Sequence, residues 1–236
     1  MKAMLLAAGY GERMRPLTEK TPKPLLPVAG KPLIEYHVQR LASAGFDQLV
    51  INVAHLGQQI IDYLGDGRRY GISINYSREG DEPQDTAGGI RDALPLLGVK
   101  PFAVINADIW TDYPFAQLRE IKLADDSMVH LVLAPNPEHH PDGDFSLDSG
   151  GYLELRSDRP RFTFSGIGAY RPDFFLEARP GKLPLRELLL PAIEHKLVSG
   201  ELYRGVWQDI GTPGRLRQLD ASTRKGLHPA PDASTQ

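Results

Sequence analysis

Leu5-Leu6-Ala7-Ala8-Gly9-Tyr10-Gly11-Glu12-Arg13-Met14-Arg15-Pro16-Leu17-Thr18, followed at once by Thr21-Pro22-Lys23-Pro24-Leu25, is the stretch whose reading decides the fold. An apolar run too short to cross a membrane feeds into two glycines and then two arginines, the order of a buried strand that ends in a phosphate loop. Glycine lets main-chain N–H groups approach an oxyanion closely, and fixed cations neutralise what those dipoles leave over. Arg13 and Lys23 are the cations placed to do so. Gly-x-Gly after a strand is also a common tight turn, so the neighbouring residues must discriminate. A Rossmann fingerprint requires a third glycine where Met14 stands, and a Walker A loop requires Gly-Lys-Ser/Thr, which is absent.

Outward from this loop the chain alternates strand and helix. Leu33, Ile34, Val38, Leu41 and Ala42 fall on one side of a helix over 32–44, with Gly45 as its stop. Leu49–Val53 reads as the next strand, 57–64 as a helix, 72–76 as a strand, 86–96 as a helix and Phe102–Asn106 as a central strand ending at Asp108. That rhythm predicts a mostly parallel sheet with crossover helices. A strand at 128–134 precedes a segment of different character, 136–161, in which Pro, His, Gly and Asp alternate with short β runs. It reads as a β ribbon or lid packed on the main sheet, an insertion that would suit a second-substrate pocket. Strand 162–170, a short helix from Pro172, a helix over 184–196 and a strand over 201–206 follow. Thr212 is a good N-cap with Pro213 at the first helical position of a closing helix. The expectation is one domain over 1–222 and a disordered tail over 223–236. No hexapeptide periodicity occurs, so no left-handed β-helix extension is expected.

At 236 residues the chain suits a single α/β domain with a substantial core. A net charge of −3 and a pI near 6.2 offer no general field for polyanions, so phosphates must bind at a local cluster and nucleic acid is not an expected partner. The absence of cysteine removes disulfides, thiolate metal sites and a cysteine nucleophile together. The amino terminus lacks the pattern of a secretory signal, and a cytoplasmic protein with no membrane partner, acting as a monomer, is expected.

Asp108 and Asp209 each follow an apolar stretch, and their hard oxygens suit Mg²⁺, which commonly takes one or two protein carboxylates and completes its shell with water and substrate phosphate. An Asx turn or helix cap is the competing reading for Asp108. His139 and His140 are adjacent, so their rings diverge in an extended loop, and a solvated loop outweighs a zinc site. No Gly-x-Ser-x-Gly elbow supports hydrolase chemistry. Glu79 follows a predicted strand and offers two carboxylate oxygens that accept hydrogen bonds.

The glycine loop, Arg13, Pro16-Leu17-Thr18 and Pro22-Lys23-Pro24-Leu25 together resemble the signature of the sugar-1-phosphate nucleotidyltransferases. The resemblance implies a Rossmann-like mixed, mostly parallel sheet flanked by helices, with Mg²⁺ held by Asp108 and Asp209. It implies catalytic roles for Arg13, Lys23, Asp108 and Asp209, and nucleotide contacts from Ala8, Gly9, Gly11, Glu12, Arg13, Lys23, Glu79, Thr86 and Gly88. On the sugar-phosphate side it implies Asn106, Gly143, Asp144, Glu154 and Ser165. One departure is Ala107-Asp108, where the family pattern has Gly-Asp, and the Glu-Lys-Pro segment of many hexose-1-phosphate transferases has no clear counterpart near 156–160. The chain most resembles the short bacterial uridylyltransferases of cell-wall recycling, through Asn52–Ile60, Trp110–Tyr113, His139-His140, Gly143–Phe145 and Phe164–Gly166. That implies UTP and N-acetylmuramic acid α-1-phosphate as substrates. A mannose-1-phosphate guanylyltransferase and a catalytically silent nucleotide-sugar sensor are the alternatives.

Overall fold

The computed structural model describes residues 1–80, 84–124, 126–156, 158–176 and 178–226. Its first half runs β1 (Ala3–Leu6), β2 (Pro27–Val28), β3 (Lys31–Pro32), α1 (Leu33–Ser43), β4 (Gln48–Val53), α2 (Gly57–Leu64), β5 (Ser73–Arg78), α3 (Asp85–Leu97) and β6 (Phe102–Asn106). The second half runs β7 (Ile109–Thr111), α4 (Phe115–Glu120), β8 (Val129–Ala134), β9 (Ser146–Leu147), β10 (Leu153–Glu154), β11 (Thr163–Tyr170), α5 (Leu185–Glu194), β12 (Val198–Leu202), β13 (Trp207–Asp209) and α6 (Pro213–Arg224).

A seven-stranded sheet has the order β12-β8-β11-β6-β1-β4-β5. β1 lies between β4 and β6, parallel to both, with β5 parallel to β4 at the edge. β11 is antiparallel to β6 and β8, and β12 parallel to β8, so the sheet is mixed and mostly parallel.

The two-residue period of a strand sends alternate side chains to opposite faces. Ala3, Leu5, Leu49, Ile51, Ala103 and Ile105 pack with Ile34 and Val38 of α1, Ile60 of α2 and Leu118 of α4. Met4, Val50, Phe102 and Val104 pack on the other face with Ile90 and Ala93 of α3 and Leu189 and Ile193 of α5. With both faces covered, the central strands read as continuous apolar runs. A third cluster lies beside the sheet and joins the N-terminal loop to the end of the chain through Met14, Leu33, Tyr36, Trp110, Ile210 and Leu216.

α1 fixes the segment that follows β6. The ring of His37 is fully buried with Nε2 2.8 Å from Ile109 O. A carbonyl only accepts, so Nε2 carries the proton and donates. Arg40 donates to Thr111 O and Tyr113 O, both at 2.6 Å. β7 is thereby held against α1 along its length.

Several elements differ from the sequence reading, which held none at β2, β3, β7 or α4. The strand expected over 201–206 is divided between β12, which begins earlier, and β13, which begins later. Between them Val206 N donates to Asp112 Oδ1 at 2.7 Å and Val206 O accepts from Asp112 N at 3.1 Å, which turns the chain away from β8 toward β7. β7 itself is too short to carry a periodic signal. Thr212 caps α6 as expected, accepting from Arg215 N. Thr223 and Arg224 complete that helix, and 227–236 of the expected tail lie outside the described residues. Among the described residues no helix is long and apolar enough to cross a membrane.

Burial, and secondarily the charge of Arg40, pushes the His37 imidazole down from its ordinary value to about 4. Between pH 6.5 and 4 the unfolded chain takes up a proton that the native state refuses, so stability falls as the pH is lowered through that window, by roughly 3 kcal/mol. His37→Gln, which keeps a donor toward Ile109 O, should show a smaller loss over the same window in urea melts; an identical loss in both proteins would contradict the assignment.

Candidate active site

In an open α/β sheet ligands gather beyond the carboxyl ends of parallel strands. Here the ends of four neighbouring strands each deliver polar groups: the Ala7–Met14 loop after β1, Asn52 on β4, Glu79 after β5, and Asn106 with Asp108 at the end of β6. They line a cleft of about 570 Å³, closed on its other sides by Lys23, Asp85, Thr86, Lys182 and Gly211.

The loop after β1 is shaped by Gly11, at φ 65°. A Cβ there would lie 2.8 Å from Thr18 Cγ2 and 3.2 Å from Lys23 Cβ, so only glycine allows the loop to close on both. Thr18 Oγ1 and Met14 N donate to Gly11 O, each at 2.8 Å. Met14 is buried in the third cluster, which anchors the turn from which Arg13 projects. Lys23 is buried and its Nζ lies 2.5 Å from Asp108 Oδ2, placing the principal cation against the principal acid.

Asn52 ties three strand ends together. Its Oδ1 accepts from Ala7 N at 2.8 Å and its Nδ2 donates to Glu79 Oε1 at 2.6 Å, while Glu79 Oε2 accepts from Gln84 N at 2.7 Å. Only this amide orientation satisfies both neighbours, since the carboxylate cannot donate and the main-chain N–H cannot accept. Glu79 is thus held at both oxygens before any ligand arrives.

The N-terminus of α3 is closed by another segment: Ala87 N and Gly88 N donate to Leu183 O at 3.0 and 3.2 Å. A Cβ on Gly88 would stand 2.6 Å from Gly181 O, so this glycine serves a close main-chain approach and does not line the cleft. The same approach brings Lys182 to the cleft, 3.9 Å from Asp85.

Asp108 and Asp209, 101 positions apart, lie on adjoining segments. β13 runs antiparallel to β7 with Asp209 opposite Ile109, and Ile210 N donates to Asp108 O at 2.8 Å. Asp209 stands behind Gly211, where a Cβ would be 2.9 Å from Asp209 Oδ2 and 3.2 Å from an Arg13 guanidinium nitrogen. Two carboxylates on neighbouring backbone, with room left for other oxygens, form a hard donor set that fits Mg²⁺. No group of three or more His, Asp or Glu able to hold a metal occurs among the described residues.

Of the residues singled out from the sequence, Ala8, Gly9, Gly11, Glu12, Arg13, Lys23, Glu79, Thr86, Asn106 and Asp108 line the cleft. Gly88, Gly143, Asp144, Glu154, Ser165 and Asp209 do not, Asp209 lying next to the lining residue Gly211. Ser165 Oγ is buried and donates to Val132 O at 2.6 Å, Asp144 Oδ2 accepts from Phe164 N at 2.8 Å, and Glu154 lies 3.4 Å from Arg159. Gly143 turns at φ 59° where a Cβ would meet Asn136. Asn52 and Lys182 were not singled out as site residues from the sequence. Asn52 carried a signal, a lone amide at the end of an apolar strand; Lys182 sits in a loop with none.

The sequence pattern of the Nucleotidyl transferase family matches residues 2–153. The N-acetylmuramate alpha-1-phosphate uridylyltransferase of Neisseria meningitidis serogroup B is 50% identical over 94% of this chain and 97% of its own length. The mannose-1-phosphate guanyltransferase of Hypocrea jecorina is 30% identical over 96% of this chain, which spans 66% of that protein. Among solved structures, a putative glucose-1-phosphate thymidylyltransferase from Bacillus anthracis superposes with a TM-score of 0.83 over 100% of this chain and 97% of that one, at 21% identity.

Replacing Asn52 with alanine should strand Ala7 N–H and one oxygen of Glu79, lowering stability by about 1–3 kcal/mol in urea titrations. Asn52→Asp would face Glu79 with a second carboxylate, so its deficit should shrink at acidic pH; a deficit independent of pH would argue against the contact.

Proposed function

The chain belongs to the nucleotidyl transferase family, and from that premise we propose that it transfers a uridylyl group from UTP to N-acetylmuramic acid α-1-phosphate, giving UDP-N-acetylmuramate and pyrophosphate. The observation that carries the reading is the 50% identity to the Neisseria meningitidis uridylyltransferase over nearly the whole of both chains. The cleft supports it, since a glycine loop, a buried lysine and an acid meet at four strand ends.

A phosphate monoester has its second pKa near 6, so at neutral pH the sugar phosphate is already an anionic nucleophile and needs no general base. One of its oxygens attacks the α-phosphorus of the nucleotide, the bond from that phosphorus to the bridging oxygen breaks, and pyrophosphate departs with the electron pair. The protein therefore supplies alignment and charge. Main-chain N–H groups of the Gly9–Glu12 loop, with Arg13 and Lys23, hold the triphosphate and the departing pyrophosphate. Asn106, which lines the cleft with Asp108, receives the sugar phosphate on this reading. Glu79, fixed by Asn52 and Gln84, accepts from the base. Asp108 and Asp209 are the residues that would hold Mg²⁺, which supplies neutralisation of the reacting phosphates when bound.

The 30% identity to a guanyltransferase makes GTP with mannose 1-phosphate the rival pair. Incubating the purified chain with each nucleoside triphosphate and each sugar 1-phosphate, and measuring pyrophosphate, should show turnover with UTP and the muramic acid phosphate. Exclusive use of GTP would remove the proposal. Asp108→Ala should abolish turnover while leaving the circular dichroism spectrum in place, with a lowered melting temperature because buried Lys23 loses its partner, whereas an undiminished rate would reject the role given to Asp108.

A further inference from the structure

The two oxygens of Asp209 have different surroundings. Oδ1 is gripped from outside the cleft: Arg215 Nη1 bonds it directly and His139 Nε2, 2.8 Å from it, donates to it, so that nitrogen has no lone pair left for Arg215 and the two gripping residues meet at the carboxylate. Oδ2 makes no hydrogen bond among the described residues and lies toward Gly211, which lines the cleft. One oxygen is tied down and the other is left over on the side of the cleft.

Both gripping residues are themselves built in. Arg215 is in the first turn of α6, where its main-chain N and Nε each lie 3.4 Å from Thr212 Oγ1, and the next residue, Leu216, is buried in the third cluster. His139 comes from the loop between β8 and β9. Asn136 Nδ2 donates across the base of that loop to Pro141 O at 2.8 Å and to Arg161 O at 3.0 Å, and His140 Nε2 lies 3.3 Å from Asp144 Oδ1. An exposed ion pair standing alone contributes little, but the Arg215 and Asp209 side chains are only 22% and 25% exposed and the carboxylate has a second partner in His139.

We propose that Arg215 and His139 are positioning residues that hold Asp209 through Oδ1 so that Oδ2 is presented to the divalent cation. The loop over 136–144 thereby becomes an outer support of the metal site. Such supports orient a ligating carboxylate and commonly govern metal affinity by 10- to 100-fold. The inference rests on the reading of Asp209 as a metal ligand.

Mn²⁺ binding can be followed by the electron paramagnetic resonance signal of the free ion, using the full chain with α,β-methylene-UTP. Arg215→Met should weaken Mn²⁺ binding by about 10-fold or more, Arg215→Lys by less, and His139→Ala by several-fold, about the range of outer supports elsewhere. In turnover assays the same variants should regain most of their kcat at saturating Mn²⁺, which a general loss of structure would not permit. Asp209→Asn is the control on the underlying reading, since unchanged Mn²⁺ binding there would remove Asp209 from the site altogether. If Asp209→Asn weakens binding while Arg215→Met and His139→Ala do not, the positioning role alone falls. Tighter binding in Arg215→Met would overturn it as well, because the guanidinium would then be a competitor of the cation. Should Arg215→Met fail to fold, Arg215→Lys and His139→Ala decide by the same criteria.

Discussion

A single main-chain hydrogen bond, from Ile210 N to Asp108 O, closes the short ladder between β7 and β13 and holds together parts of the chain that share no local sequence signal. Its partners are fixed from two directions. α1 clamps β7 through His37 and Arg40, while Ile210 is buried beside Met14 and Trp110 in the third cluster. The packing that anchors the glycine loop is therefore the same packing that brings the second acid to the first. A change in that cluster would move the phosphate loop and Asp209 together.

The main sheet contributes differently. Parallel strands buried on both faces have nowhere to expose polar groups except their ends, and four adjacent ends open on one side. The polar residues there satisfy one another first: Asn52 serves Ala7 and Glu79, Lys23 serves Asp108, and Leu183 O serves the start of α3. Preorganisation of this kind spares a ligand the cost of ordering the groups that receive it. It also explains why Gly88, read from the sequence as a nucleotide contact, instead lets the 181–183 segment approach closely enough to bring Lys182 to the cleft.

What could be read in advance follows from how local each signal is. β6 and α2 have the bounds that apolar runs and helical spacing imply, and Gly11 is required by a turn that its own neighbours create. The β7–β13 ladder was illegible because three residues cannot show a period and because its pairing spans about half of the chain. Ser165 and Asp144 were misleading for the opposite reason. A serine or an aspartate near a glycine looks exposed and available, yet each is consumed by the backbone around β11, Ser165 by Val132 O and Asp144 by Phe164 N. His139 looked like a solvated loop residue, and only the fold reveals that its ring reaches Asp209.

The charge lining the cleft bears on what the proposed reaction needs. Glu12, Glu79, Asp85 and Asp108 stand against Arg13, Lys23 and Lys182, and Lys23 is already committed to Asp108. The cleft walls thus carry no surplus of positive charge with which to gather a triphosphate and a monoester that itself bears about −2 at neutral pH. Main-chain N–H groups of the glycine loop offset part of that repulsion, but dipoles do not cancel whole charges at short range. A divalent cation held by Asp108 and Asp209 would convert the acids from a liability into an anchor and would release Lys23 toward the phosphates. On this view the acids and the cations of the cleft are alternative partners: Lys23 pairs with Asp108 in the free protein, and a bound cation would compete for that carboxylate.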